Sequence, residues 1–134
     1  MSLDNELANA MKTIPECVAG AYIDLTSGMI LSVKTLDSHP QEVLDMVAAA
    51  TADMFQGNTV GYIEDAFKKS RGNTDDPRHY FQEFLVFSDN LLHVFMRTKK
   101  YQDHVASFVC RKSANVGMVL AKSRMTVDKL AAAV

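Results

Sequence analysis

The sequence predicts an α+β domain: a five-stranded antiparallel sheet flanked by helices, in the order helix, two strands, one or two helices, three strands, helix. Three observations carry that prediction. Residues 17–34 and 80–98 each hold two runs of strand-forming side chains separated by a short break of turn formers, so each stretch reads as a hairpin. Residues 3–12, 41–55 and 116–130 place apolar side chains at intervals of three and four, the period of an amphipathic helix. The links inside both strand groups are short, and only antiparallel neighbours can be joined that way.

The opening helix places Leu3, Leu7, Ala10 and Met11 on one side, and Pro15 prevents its continuation. From Cys17 to Leu25 the pattern becomes alternation, with Cys17, Ala19, Ala21, Ile23 and Leu25 on one face and Gly20, Tyr22 and Asp24 on the other. The small residues there predict close packing by another element. Thr26-Ser27-Gly28 supplies a turn into Met29, Leu31 and Val33, which alternate with Ser32 and Lys34.

Ser38-His39-Pro40-Gln41 has the form of a capping box ahead of a second helix. Two apolar stripes run along that helix: Val43, Val47, Ala50 and Met54, and beside them Leu44, Ala48, Thr51 and Phe55. So broad an apolar surface predicts burial on two sides. Gln56-Gly57-Asn58-Thr59 reads as a helix end and a fresh cap, leaving residues 57–78 open between helix and loop. Arg71 to Pro77 concentrates turn formers and predicts an exposed loop. Strands follow at Tyr80–Phe87, Leu91–Thr98 and His104–Arg111, and a last helix opens behind Ser113 as its expected cap.

With 134 residues, 48% of them apolar, the chain is the size of one domain spanning 1–134 with an ordinary core. A formal charge of −2 offers no general field to attract nucleic acid or anionic lipid. No apolar run approaches the roughly 18 residues of a membrane span. The two cysteines, Cys17 and Cys110, form no metal-binding spacing, and no basic start with an apolar run and cleavage site opens the chain. Both are expected as buried, reduced thiols in the cytoplasm, against the alternative of a Cys17–Cys110 bridge in an oxidising compartment.

Candidate chemistry is sparse. His39, His79, His93 and His104 lack metal-ligand spacing, and His93 reads as a satisfied strand histidine. Asp24 and Asp89 sit at hairpin turns, where carboxylates bind local backbone. Of the thiols, Cys110 is the better nucleophile candidate because Arg111 and Lys112 follow it. The scattered glycines make no phosphate loop, and Gly117 is expected to let the last helix approach the sheet. Neither a catalytic residue nor a cofactor or metal is expected.

Three segments share the character of a known family: Val18-Ala19-Gly20-Ala21-Tyr22-Ile23-Asp24 followed by Gly28, the strand pair around Asp89, and Ser113-Ala114-Asn115-Val116-Gly117-Met118-Val119 with its Asn-x-Gly helix opening. On these residues the chain resembles the Roadblock/dynein light chain family, in its bacterial single-domain type, over roughly residues 5–130. It departs from the compact family pattern in the long stretch from Gly57 to Arg78. The resemblance implies a profilin-like fold and a homodimer. In that homodimer the strand Tyr80–Phe87 pairs with its twin and the helix Gln41–Phe55 packs on its counterpart. The implied interface holds Val43, Val47, Ala50, Met54, Tyr80, Gln82, Phe84 and Val86, with Leu44, Thr51 and Phe55 as candidate partner-binding residues.

The aromatic third strand supports pairing independently, because an exposed apolar edge invites aggregation on a lone subunit. The function implied is a non-enzymatic scaffold or regulator that binds protein partners, among them a small Ras-like GTPase or signalling complex. The alternative is a small-molecule sensor domain, with the ligand held between sheet and helices.

Overall fold

The computed structural model describes residues 2–37, 41–72 and 78–134. Its elements are α1 (Leu3–Thr13), β1 (Cys17–Asp24), β2 (Met29–Thr35), α2 (Gln41–Gln56), α3 (Asn58–Ser70), β3 (Glu83–Phe87), β4 (Leu91–Arg97), β5 (His104–Arg111) and α4 (Val116–Ala132). This is the expected order with the optional second helix present. The capping box at residues 38–40, His39 with it, and the loop centre at residues 73–77 lie outside the described residues.

Local chemistry sets most element ends. The Ser2 side chain accepts the Asn5 amide at 3.2 Å and caps α1. Of the stretch that the sequence left open, residues 58–70 are helix, and Gly57 separates that helix from α2. Its amide donates to Asp53 O at 2.9 Å, closing α2, while its own extended backbone forms the N-cap of α3. A Cβ on Gly57 would come within 2.7 Å of that Asp53 oxygen, so glycine is what allows the two helices to follow without a linker. At α4 the cap is Asn115, whose side chain accepts the Met118 amide at 3.0 Å. Ser113, the expected cap, instead donates to Glu16 at 3.0 Å.

All strand pairs are antiparallel, in the order β2-β1-β5-β4-β3. Strands β2 and β3 therefore form opposite edges. The chain must travel from one edge to the other between them, and α2 and α3 make that passage. Packing α2 on one face of the sheet leaves the other face for α1 and α4. Two clusters result. Leu7, Ala10, Tyr22, Met96, Phe108, Val119 and Leu130 pack between the sheet and the α1/α4 layer, while Ile23, Leu25, Ala48, Phe55, Phe95 and Val105 pack under α2.

The small residues of β1 serve as predicted at Gly20. A Cβ there would meet Leu7 Cδ1 at 3.1 Å and Met11 Cγ at 3.2 Å, so the bare backbone lets α1 lie directly on the strand. Cys17 departs from the predicted alternation. A register shift between Cys17 and Ala19 in the β1/β5 ladder turns its side chain onto the α1/α4 cluster, away from the face of Ala21 and Ile23. Gly117 also departs. It is exposed, and a Cβ on it would meet only the capping oxygen of Asn115, at 3.3 Å, and no sheet atom.

No described helix is long and apolar enough to cross a membrane.

Candidate protein-docking surface

The two apolar stripes of α2 have opposite fates. Ala48, Thr51 and Phe55 are buried against the sheet, and Leu44 is half-buried beside them. The Thr51 hydroxyl, turned inward, donates to Val47 O at 2.8 Å, which satisfies it without a neighbour from the sheet. The other stripe faces outward: Val43, Val47 and Ala50 are exposed, Met54 is half-buried, and Met46 joins them at 63% exposure. Thr51 and Phe55 are thereby corrected as partner-binding residues. Their stripe is the one the subunit's own core takes, because Phe55 stands edge-on to Phe84 with ring centres 4.7 Å apart.

The second part of the surface is the β3 edge. The ladder to β4 begins at Glu83, three residues later than expected, because side chains hold the preceding segment. Phe81 N donates to the buried Glu64 carboxylate at 3.0 Å, and Phe81 O accepts Arg97 Nε at 2.8 Å. Gln82, half-buried, reaches back to His79 O at 2.6 Å. Tyr80 stacks on Phe67 of α3 at 5.0 Å. Within the strand, Phe84 and Leu85 are half-buried, whereas Val86 is 42% and Phe87 54% exposed. Of the sequence-predicted interface residues, the exposed ones are therefore Val43, Val47, Ala50 and Val86.

Arg97 ties these parts together. Only 4% exposed, it donates to Phe81 O at 2.8 Å, Gln102 O at 2.6 Å and Phe55 O at 2.9 Å, and its guanidinium lies 4.9 Å from the Phe55 ring centre. The planar fork joins the end of α2, the approach to β3 and the β4–β5 turn. Burial holds its pKa below the usual arginine range, with Glu64 and Asp103 opposing that shift.

This assembly can be compared with solved proteins. No protein-family model matches the sequence, and comparison with curated proteins gives no match either. Solved structures do match. A Roadblock/LC7 domain from Streptomyces avermitilis superposes with a TM-score of 0.69 at 14% identity, covering 98% of this chain and 97% of that one. The fold of this chain is that of a Roadblock/LC7 domain. Gliding protein MglB from Thermus thermophilus superposes with a TM-score of 0.71 at 17% identity, covering 98% and 87%. MglC from Myxococcus xanthus does so with 0.62 at 14% identity, covering 100% of each chain.

On this Roadblock/LC7 frame, further apolar side chains are exposed that the sequence reading did not single out as a surface. Met29, Leu31 and Val33 lie on the β2 edge, and Tyr62, Ile63 and Phe67 on α3. The Met46 signal was available, since it stands three residues after Val43 on the outward stripe. The β2 edge was not legible, because alternation cannot tell which face a helix will cover.

The titratable groups serve the frame. His79 Nδ1 lies 3.2 Å from the buried Glu64, and the Tyr22 hydroxyl 2.8 Å from His104 Nδ1. Burial raises the Tyr22 pKa to about 12. His93 Nε2 meets the Ser88 hydroxyl at 3.0 Å, and burial lowers its pKa. Asp24 binds Thr26 N and the Ser27 hydroxyl, both at 3.0 Å, as a turn carboxylate. Among the described residues no group of three or more metal-ligating side chains comes together. A cleft of about 860 Å³ opens between the end of α3, β4 and α4. Among the described residues, Lys68, Arg71, Arg78, Arg97, Lys99 and Arg124 line it, with Glu83 as the one acidic lining residue. Arg124 grips Glu83 at 2.7 and 2.9 Å and holds that carboxyl below its usual range.

Proposed function

We propose that the chain is a non-catalytic scaffold or regulator that pairs with a second copy of itself and offers the composite surface to a protein partner, a small Ras-like GTPase. The observation that carries this reading is the outward stripe of α2. Val43, Met46, Val47 and Ala50 are exposed along a helix whose opposite side is already buried. Water against that stripe is costly, and a twin helix would remove it at about 25 cal/mol per Å². The edge strand β3, with Val86 and Phe87 exposed, supplies a second contact by strand addition. A standard stable interface buries about 1,600 Å² in total, the area that pairing through both helix and strand has to supply. A solved MglB, similar to this chain at a TM-score of 0.72, is described in a tetrameric arrangement, which agrees with assembly through this fold.

The test replaces Val47 and Val86 together by Lys. Both are exposed, so the substitutions leave the subunit core intact, whereas Phe84 is partly enclosed beneath Phe55. Light scattering after size exclusion is expected to report a dimer for the unaltered chain and a monomer for the double variant. An unaltered chain with the mass of one subunit at micromolar concentration would overturn the pairing. For the GTPase, affinity capture from the native host should recover a small GTP-binding protein with the unaltered chain and lose it with the variant. Its repeated absence rejects that partner.

The basic cleft favours the sensor alternative as a second reading, with an anionic small molecule as ligand, because its volume falls in the range of small-molecule sites. A phosphorylated compound retained through purification would support it, and capture of protein partners alone would not.

A further inference from the structure

Cys17 and Cys110 are far apart in the chain but directly opposite on β1 and β5, as Cα partners of one antiparallel register. The type of pairing matters. Arg111 N donates to Glu16 O at 3.1 Å, the bond expected immediately beside a non-hydrogen-bonded pair. In such a pair the Cα atoms approach to about 4.5 Å and the side chains lie closest. Disulfides span Cα separations of about 4.4–6.8 Å, a range that includes the spacing of such a pair. Both cysteines are free.

The two sulfurs are not equivalent. Cys110 is fully buried, whereas Cys17 is half-buried at the start of its strand and can meet a small reagent. Its pKa is lowered, first by the neighbouring Cys110 thiol, which can donate a hydrogen bond to a Cys17 thiolate, against the opposing effect of burial. The same partnership and its own burial raise Cys110. Cys110, the better nucleophile candidate from its basic neighbours in sequence, is therefore the wrong choice: Arg111 and Lys112 are exposed, while the Cys110 side chain is turned into the core.

We propose that Cys17 and Cys110 form an oxidation site that closes to an intramolecular cross-strand disulfide when the chain meets a low-molecular-weight disulfide such as oxidised glutathione. The Cys17 thiolate attacks one sulfur of the reagent; the reagent's S–S bond breaks and one glutathione thiolate leaves. The Cys110 thiol then attacks Cys17 Sγ, and the second glutathione leaves as a thiol, carrying away the Cys110 proton. Two protein thiols are oxidised by two electrons and one glutathione disulfide is reduced to two thiols. The ring closed by that bond contains β2, α2, α3, β3 and β4, so oxidation constrains the unfolded chain over most of its length and stabilises the folded one.

The test incubates the full chain with oxidised glutathione, quenches with a maleimide and records intact mass and peptide maps. The expected result is loss of two hydrogens, no maleimide uptake after denaturation and a Cys17–Cys110 linked peptide, with a urea midpoint that rises on oxidation and returns on reduction. Cys110→Ser should stop at a single glutathione adduct on Cys17, and Cys17→Ser should remain unmodified in the folded state. The unaltered chain decides by itself if either variant folds poorly. Retention of both thiols, a stable glutathione adduct without ring closure, or linkage between two chains would each overturn the proposal. None of these outcomes depends on the GTPase or dimer reading.

Discussion

Phe55→Ala should unfold this protein far more readily than Val47→Ala, although the two residues lie on one helix and both belong to its apolar stripes in the sequence. Phe55 is fully buried, stands edge-on to Phe84 at 4.7 Å and carries the Arg97 guanidinium over its ring at 4.9 Å. Truncating a buried Phe costs about 3–5 kcal/mol through lost transfer energy and the cavity left behind. The aromatic pair, worth about 0.5–1.5 kcal/mol, places this site in the upper half of that range. Against a total stability of about 5–15 kcal/mol, that loss lowers Tm by about 10–20 °C for a chain of this length. Val47, 46% exposed, should change the stability of the single subunit by no more than about 0.5 kcal/mol. The assay is urea unfolding followed by circular dichroism, at protein concentrations low enough that the midpoint no longer depends on them, which removes any contribution of self-association. Equal losses for the two variants, within about 1 kcal/mol, would refute the assignment of the inner and outer stripes.

Asn115→Ala removes the side chain that caps α4 and should cost about 1 kcal/mol, whereas Ser113→Ala, losing only an exposed contact to Glu16, should cost less than about 0.5 kcal/mol. Denaturant midpoints of the two variants decide which residue opens the helix. His93 has a folded-state pKa below its ordinary value because burial disfavours the charged ring. Its contribution to stability is therefore fully present above the unfolded-state pKa of about 6.5. It is lost as pH falls from there towards the lowered folded value, because the unfolded chain binds the proton more readily in that window. Unfolding measured between pH 7.5 and 5 should show stability falling with pH less steeply in His93→Gln than in the unaltered chain, and identical slopes would refute it.

Much of the architecture was legible because it rests on local chemistry. Alternation around Thr26-Ser27-Gly28 and the break at Ser88-Asp89-Asn90 placed two hairpins, and the small residues of β1 predicted close packing by another element, which at Gly20 is α1. The helix signals were equally local, except where two polar residues competed for one cap and Asn115 prevailed over Ser113. The boundary of β3 was hidden for a different reason. Tyr80 to Gln82 have strand-like side chains, but Glu64, Arg97 and Gln102 satisfy or engage that segment from distant parts of the chain.

By itself, the sequence determined the element order apart from α3, the antiparallel hairpins and the breadth of the apolar surface on α2, since period and turn chemistry act over a few residues. Tertiary structure alone decided which stripe of α2 is buried, that β2 forms the second edge, and that Cys17 and Cys110 face each other across the sheet. Sequence spacing distinguishes the two stripes only by phase; the sheet that covers Ala48, Thr51 and Phe55 assigns the inside. Likewise, Cys17 and Cys110 become neighbours only because the last strand inserts beside the first. Contacts of that kind depend on how whole elements pack, and no local pattern encodes them.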